Sequence, residues 1–341
     1  MVKISNDRLK RLILDKAKTS DQDVIIGPQI GEDAAIIRVG NKYLAVHSDP
    51  ITGSINDIGW LSINVPANDI ATRGIMPRWF VLTLILPLGF SDESLSRIMS
   101  QVWDALSEIG GTLIGGHTEY SGEVRHPITS TTVMGIGDFY ISTSGLRPGH
   151  LIVATKFAAM EATAIVARDM EKELIQRGVD PTIISRAAAL IRKTSVVKEA
   201  LIAAKYASSM HDPTEGGVIQ GLIEMASASN TCIDMDGNIP VLEETSGVLG
   251  ALGIDVYRSL SSGMLLIGAP PGSIDLLINE LMIASIPAKL IGKARACNKP
   301  SVNMGSYSID ADSFVEDDLI RIMDYTKKLG HDKKNDKPSS F

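Results

Sequence analysis

Cysteine, aromatic residues and long apolar runs are all scarce in this chain of 341 residues. Its two cysteines, Cys232 and Cys297, form neither a CxxC pair nor a zinc spacing. This spacing excludes a disulfide framework and indicates a reducing compartment, so we expect both cysteines to be packing residues. No apolar run reaches the roughly 20 residues of a membrane span, and the charged start does not resemble a signal peptide. The sequence therefore predicts a cytoplasmic protein with no membrane contact.

Positive charge clusters are absent as well. The formal net charge is -7, and no Lys/Arg block resembles a nucleic-acid footprint, which excludes a nucleic-acid partner. There is no GxxxxGK[ST] and no GxGxxG at a strand-to-helix turn, so neither a P-loop nor a Rossmann dinucleotide site is indicated. What the chain does have is 44% hydrophobic residues, enough to fill two domain cores at the usual domain size.

Helix and strand signals alternate along both halves of the chain. Gly40-Asn41 separates two β-prone runs and predicts a hairpin. A helix is expected over 57–74, where Pro66 begins its second half or kinks it. Ser91 is the predicted N-cap of a helix that runs to 109. The turn-rich segment 144–149 marks the domain boundary. In the second half we predict strands near 151–155, 232–235, 264–268 and 289–293, and helices near 158–173, 182–207, 214–229 and 273–283.

The open end of the predicted hairpin carries the first candidate site. Folding about Gly40-Asn41 sets Asp33 opposite Ser48 or Asp49. Carboxylates that face each other at roughly 5 Å repel unless a cation or a proton bridges them. Magnesium, which completes its octahedron with water and phosphate oxygens, is the natural bridge. The alternative is that both aspartates cap turns at strand ends.

The predicted helix 57–74 supplies further polar residues. Asn64 and Asn68 are four residues apart and project from one helix face, and Asp69 adds a third acid. Polar groups that face a sheet need partners, which a nucleotide or metal-bound water would supply. The alternative is a solvated helix edge.

Gly115-Gly116 follows a predicted strand at 112–115. Two glycines let backbone N–H groups approach a phosphate closely, and His117 is a candidate ligand of a metal or a phosphate. The alternative is a turn that ends the strand. A lone histidine such as His117 or His47 is most often a hydrogen-bonded structural residue.

The segment DPTEGG begins at Asp212 and has the pattern of a helix start. Asp at the N-cap, Pro at N1 and Glu at N3 form a capping box, which by itself explains the segment structurally. A helix N-terminus beside glycines also binds anions, so a substrate carboxylate or phosphate is a second interpretation. The residues that would contact it are Asp212, Thr214, Glu215, Gly216 and Gly217.

Five segments, taken in order, resemble one superfamily. They are GEDAAII (31–37), HSDPITG (47–53), DIGWLSINVPANDIATRGIMP (57–77), GGTLIGGHTE (110–119) and DPTEGGV (212–218). The superfamily contains aminoimidazole ribonucleotide (AIR) synthetase, the hydrogenase maturation factor HypE, thiamine-monophosphate kinase and selenophosphate synthetase. Within it the chain is most similar to HypE-related archaeal proteins, through DPTEGGV and NDIATRG.

The resemblance implies an AIR synthase-like α/β (α+β) fold of two domains. Residues 1–146 would form an ATP-binding domain whose four-stranded sheet pairs with that of a second subunit into a barrel. Residues 147–310 would form an α/β domain, and 311–341 a terminal helix and a flexible tail. Asp33, Asp49 and Asp69 are the expected catalytic residues and magnesium ligands. The expected ATP-binding set is Gly31, Asp33, Ser48, Asp49, Asn64, Asn68, Asp69, Gly115, Gly116, His117, Thr118 and Glu119.

The resemblance further implies an ATP- and Mg²⁺-dependent homodimer that transfers a phosphoryl group or dehydrates its substrate. Hydrogenase or other protein or cofactor maturation, with a maturation partner protein, is the expected setting. HypE proteins end in a cysteine, whereas this chain ends Ser339-Ser340-Phe341, and His117 stands where relatives usually have an acid. Two alternatives therefore remain: a small-molecule kinase or ATP-dependent cyclising ligase, and an inactive dimeric nucleotide-binding scaffold. The metal hypothesis fails if the three aspartates point apart or lie against cationic side chains.

Overall fold

The computed structural model describes residues 4, 6–17, 19–52, 56–236 and 238–322. The first part of the chain forms a sheet with strand order β1-β2-β3-β6-β4-β5. Its strands are β1 (Val24–Ile26), β2 (Ala35–Val39), β3 (Lys42–Ile51), β4 (Trp79–Pro87), β5 (Thr112–Ser121) and β6 (Ile128–Gly137). Its helices are α1 (Asn6–Leu12), α2 (Ile58–Ala71) and α3 (Asp92–Ile109). The sheet thus has six strands, two more than the four that we expected.

The predicted hairpin is present in the structure. β2 and β3 pair from Val39 opposite Lys42 to Ala35 opposite Val46. β3 continues along β6 and sets Asp49 opposite Thr131. Asp33 precedes β2, so it lies at the same end of the hairpin as Asp49.

Helix α2 is buried on nearly every side. Every residue of α2 except Asp69 is buried, including Pro66, and the helix continues through that proline. Its buried face includes the polar residues Ser62, Asn64 and Asn68, which need partners within the protein. Trp60 of α2 donates a hydrogen bond to the Ile191 carbonyl at 2.9 Å, which ties the helix to the second half of the chain.

Helix α3 has the ends that the sequence predicts. Its N-cap Ser91 accepts a hydrogen bond from the Ser94 amide, and Gly110 ends the helix at φ 77°. A left-handed residue at this position is the usual helix stop, and glycine adopts it without strain.

The second part of the chain forms a sheet with strand order β13-β12-β9-β11-β7-β10-β8. Its strands are β7 (Leu151–Thr155), β8 (Ser209–His211), β9 (Cys232–Met235), β10 (Leu266–Ala269), β11 (Ala288–Arg295), β12 (Ser301–Met304) and β13 (Tyr307–Asp310). Its helices are α4 (Met160–Asp169), α5 (Glu171–Gln176), α6 (Pro181–Ala189), α7 (Val197–Ala203), α8 (Gly217–Ser229), α9 (Glu243–Ala251) and α10 (Ile274–Ile283). Residues 318–322 are helical, and the predicted tail lies largely outside the described residues. The domain boundary at 146/147 stays a prediction.

The cysteine prediction was wrong, because Cys232 and Cys297 form a disulfide with a Cα–Cα distance of 5.8 Å. β9 pairs with β11, and this pairing sets Cys232 opposite Arg295. Cys297 follows two residues later and therefore comes within reach. The sequence separation of 65 residues hid this proximity.

No helix among the described residues has both the length and the apolar character needed to cross a membrane.

Candidate active site

A cavity of about 550 Å³ lies between the two halves of the chain. This volume is in the usual range for small-molecule sites. Carboxylates from both halves line the cavity, whereas no Lys or Arg among the described residues does. Its acidic residues are Glu32, Asp33, Asp49, Asp69, Glu161, Asp212, Glu215 and Glu224.

Asp49 and Asp69 meet in this cavity together with His47. One potential ligand atom from each of the three lies within 4.8 Å of the others. His47 Nε2 and Asp69 Oδ2 are 3.3 Å apart. Burial lowers the pKa of His47 despite the carboxylates of Asp49 and Asp33. A neutral imidazole beside two carboxylates is a donor set that suits a divalent cation.

Asp33 also reaches the cluster, but it has cationic neighbours. Its Oδ2 accepts hydrogen bonds from Arg73 Nη2 at 2.9 Å and Thr72 Oγ1 at 3.0 Å. Its Oδ1 lies 2.7 Å from His211 Nδ1. Burial opposes ionisation of Asp33, yet His211 and Arg73 outweigh it and lower the pKa of this carboxyl. Asp33 therefore meets the condition that weakens its assignment as a direct metal ligand.

His211 links Asp33 to helix α8. Its Nε2 lies 2.8 Å from Glu224 Oε2. Burial disfavours the imidazolium, but Asp33 and Glu224 outweigh burial and raise the pKa of His211 well above its ordinary value. We describe His211 as a cation that holds Asp33 in place.

The sequence analysis expected Asp212 to be a helix N-cap or a substrate contact, whereas the structure places it beside Asp33 and Asp69. It is 3% exposed, and neither carboxylate oxygen has a hydrogen-bond partner among the described residues. One of its oxygens lies within 4.8 Å of oxygens of Asp33 and Asp69. Burial and these two carboxylates raise the pKa of Asp212 well above its ordinary value. A buried carboxylate without partners is costly, so the arrangement fits a bound cation.

The predicted capping box at DPTEGG does not form. Helix α8 begins at Gly217, and Gly216 is its N-cap with φ 79°. The Gly216 amide donates to Asp317 Oδ2 at 2.9 Å, and the Gly217 amide donates to the Thr214 carbonyl at 3.0 Å. The amides that were expected to bind a substrate anion are therefore used internally, whereas Thr214 and Glu215 line the cavity.

The glycine pair Gly115-Gly116 lies within β5 rather than after a strand. A Cβ on Gly116 would approach the Leu82 carbonyl oxygen to 2.0 Å, so this glycine permits close pairing with β4. His117, Thr118 and Glu119 are exposed on the edge strand. β6 and β4 separate β5 from β3, which is roughly 14 Å at normal strand spacing. These residues do not join the carboxylate cluster of their own chain.

Of the other predicted ATP-binding residues, Gly31 lines the cavity, whereas Ser48, Asn64 and Asn68 do not. Gly31 has φ 85°. Asn68 donates to the Thr194 carbonyl at 2.9 Å and accepts from the Val196 amide at 2.8 Å, so it joins α2 to the second half. Asn64 is buried and donates to the Trp60 carbonyl. Ser48 is exposed and accepts from Thr132.

Glu161 is a cavity residue that the sequence analysis missed. It is the second residue of α4 and is 6% exposed. Burial raises its pKa from 4.5 to about 7, with smaller contributions from Asp317 and Asp49. Only its position at the start of the helix that follows strand β7 pointed to a site, and that signal is weak.

The sequence matches the two domain models of one family over most of the chain. The AIR synthase related protein N-terminal domain matches residues 31–137, and the C-terminal domain of the same family matches residues 147–305. The chain belongs to this family. The expected AIR synthase-like two-domain fold is confirmed.

Three relatives illustrate the range of similar proteins. A Methanocaldococcus jannaschii protein assigned to hydrogenase expression/formation is 29% identical over 270 residues, 76% of this chain and 78% of the relative. Carbamoyl dehydratase HypE of Rhizobium leguminosarum is 27% identical over 278 residues, 78% and 75% of the two chains. Selenide, water dikinase of Nitratidesulfovibrio vulgaris strain DP4 is 26% identical over 336 residues, 85% and 91%. The expected similarity to HypE-related enzymes is confirmed.

Two solved structures share the fold. A HypE–HypF complex contains a chain with a TM-score of 0.70 and 18% identity, covering 89% of this chain and 98% of that one. A hydrogenase maturation protein HypE in complex with ATP has a TM-score of 0.66 and 18% identity, covering 92% and 96%.

Proposed function

We propose that the chain uses ATP with magnesium to phosphorylate or dehydrate an acceptor, as a HypE-like member of its family. One observation carries the magnesium requirement: the cavity is lined by acids and, among the described residues, by no Lys or Arg. Acids dominate this lining, and its cationic His211 is already paired with Asp33 and Glu224, so a triphosphate placed there would meet mainly like charge. A divalent cation removes this repulsion and, when bound, also neutralises charge that develops on the phosphoryl oxygens.

Asp49, Asp69 and Asp212 are the proposed metal ligands, with His47 beside them. Asp212 supports this choice most strongly, because its buried oxygens lack partners among the described residues. Asp33, paired with Arg73 and His211, orients the cluster and offers at most a remaining lone pair. Helix α2 fixes Asp69, and pairing of β3 with β6 fixes Asp49.

We propose a homodimer through the first sheet. One face of this sheet is buried under helices, whereas apolar residues on the other face are only half-buried. These include Leu44, Val46, Val81, Ile85, Met134 and Ile136. Neighbouring β5 exposes Ile114 by 54% and Tyr120 by 49%. A broad uncovered apolar face beside an open strand edge favours a second copy as its partner. In such a dimer, residues 115–119 would approach the nucleotide of the partner subunit.

The relatives support a role in hydrogenase or related maturation, with a maturation partner protein. The HypE–HypF complex, which contains a chain of this fold, is the precedent for such a partner. We also propose a cytoplasmic location, where ATP and magnesium are available. A small-molecule kinase of the thiamine-monophosphate kinase type remains the second candidate, since such an enzyme from Archaeoglobus fulgidus is 25% identical over 247 residues.

Product analysis separates these candidates. The full chain would be incubated with ATP, magnesium and, in separate reactions, a carbamoylated thiol peptide or thiamine monophosphate. A dehydrated peptide with ADP release supports the HypE-like function. A phosphorylated small molecule supports the kinase instead, and nucleotide binding without any product in either reaction supports an inactive scaffold.

A further inference from the structure

Part of the cavity lining, which we call the α4 end, comes from α4 and the residues around 260 and 320. Glu161 and Ser262 provide polar groups there, and apolar side chains surround them. The apolar residues are Ile165, Leu260, Leu319 and Ile320. The α4 end is more apolar than the part of the lining that holds the two acidic groups sharing Asp69, although Asp49 is near enough to contribute to the raised pKa of Glu161.

Glu161 and Ser262 are both buried, and both line the cavity, where a ligand could contact them. Ser262 is 1% exposed. Its oxygen is close enough to Glu161 to offset part of the rise in that residue's pKa, yet it has no well-formed hydrogen bond among the described residues. Within the part of the chain that the structure describes, no salt bridge involves Glu161. Asp317, the nearby acid, is instead occupied by the amides of Gly216, Leu319 and Ile320.

Buried polar groups in native proteins normally have partners. A buried carboxyl and a buried hydroxyl that face a cavity therefore suggest a ligand that supplies them. Above its pKa of about 7, Glu161 is a carboxylate, which only accepts hydrogen bonds, so the ligand group must then bring the donors. An anion is disfavoured at this end, since Glu161 and Glu215 are acidic and no described Lys or Arg lines the cavity.

We propose that this end is the acceptor subsite and that it takes an uncharged or cationic group with N–H donors, such as an amide, amine or guanidinium. Glu161 contacts the donors, Ser262 completes the polar contact, and the apolar residues hold the body of the acceptor. The inference rests on the proposed function, which places the triphosphate against the metal-binding carboxylates. It excludes an acceptor that enters this end as a phosphate or a carboxylate.

Binding of small probes tests the subsite without knowledge of the natural acceptor. The full chain would be saturated with magnesium and the non-hydrolysable analogue AMPPCP at about pH 8, above the pKa of Glu161 at about 7. Methylguanidinium, methyl phosphate and acetate would then be titrated by calorimetry or NMR. Methylguanidinium should bind best. Loss of one charge-assisted contact in Glu161→Gln should weaken methylguanidinium binding roughly tenfold.

Two further variants complete the design. Ser262→Ala should weaken methylguanidinium binding less than Glu161→Gln. Glu173→Gln, at a half-exposed position outside the cavity lining, should leave it unchanged. Preferential binding of methyl phosphate or acetate, or equal binding of methylguanidinium by wild type and Glu161→Gln, would overturn the subsite alone. Failure of wild type to bind AMPPCP would overturn the proposed function and the subsite together.

Discussion

At the scale of single residues, the site is a set of carboxylates whose neighbours give them different charges. Arg73 and His211 lower the pKa of Asp33, whereas burial and other carboxylates raise that of Asp212. Such divergent environments are typical of functional sites. The sequence identified Asp33, Asp49 and Asp69 because they stand in recognisable segments. It misjudged Asp212 because the local capping pattern gave a sufficient structural explanation.

Glu161 predicts a pH-dependent stability change. Its pKa is higher in the folded protein, so folding favours the protonated form. The unfolded chain loses this proton first, and stability therefore falls as pH rises from about 4.5 to about 7. Glu161→Gln removes the free-energy cost of burying an ionised carboxylate at this position. It should stabilise the protein above pH 7 by roughly 3 kcal/mol and change it little below pH 4.5.

Denaturant unfolding across this pH range measures the effect, with Glu173→Gln as the half-exposed control. A stability difference between wild type and Glu161→Gln that does not grow with pH would contradict the assigned burial of the charge.

At the scale of secondary-structure elements, local signals predicted the elements that local interactions specify. The turn residues Gly40-Asn41 predict the hairpin of β2 and β3. The capping residues Ser91 and Gly110 predict the ends of helix α3. The start of α8 does not follow from local signals: Gly216 and Gly217 adopt φ 79° and 65°, and a Cβ at either would approach a backbone oxygen to 2.7 or 2.6 Å. Contacts with distant residues 315 and 257 set this conformation. The Cys232–Cys297 pairing was likewise set by strand order, which one sequence does not reveal.

Arg73, just after α2, joins the two halves of the chain. It is 0% exposed, and it donates to Asp33, to Glu32 and to the Met210 carbonyl. Arg73→Met would leave buried Glu32 without its cation and Asp33 with His211 alone. It should cost roughly 3–5 kcal/mol of unfolding free energy.

Arg186→Met is the matched control, because Arg186 is half-exposed and pairs with Glu243 and Glu244 at the surface. It should change stability little. Equal losses for the two variants in denaturant unfolding would show that the Arg73 network does not hold the halves together.

At the scale of the whole molecule, the uncovered face of the first sheet predicts the assembly. Val81 lies at its centre, beside Thr132 of β6 and Gly115 of β5. Val81→Lys places a charge in the proposed interface and should convert a dimer into a monomer, because an unpaired charge there would be desolvated.

Size-exclusion chromatography with light scattering measures the molar mass and so distinguishes the dimer from the monomer. Leu276→Lys is the control, since Leu276 is 59% exposed on α10, away from the sheet. It should remain dimeric. A wild type that is monomeric at micromolar concentration, or a Val81→Lys variant that stays dimeric, would contradict the proposed interface.

The central claim is that carboxylates from both halves of the chain hold a divalent ion against a triphosphate. Calorimetry of ATP binding with and without magnesium, for wild type and for Asp49→Asn, tests it most directly. Magnesium should raise the affinity of wild type by at least about tenfold, or 1.4 kcal/mol, and should help Asp49→Asn much less. Equal affinity in all four conditions would contradict the metal site.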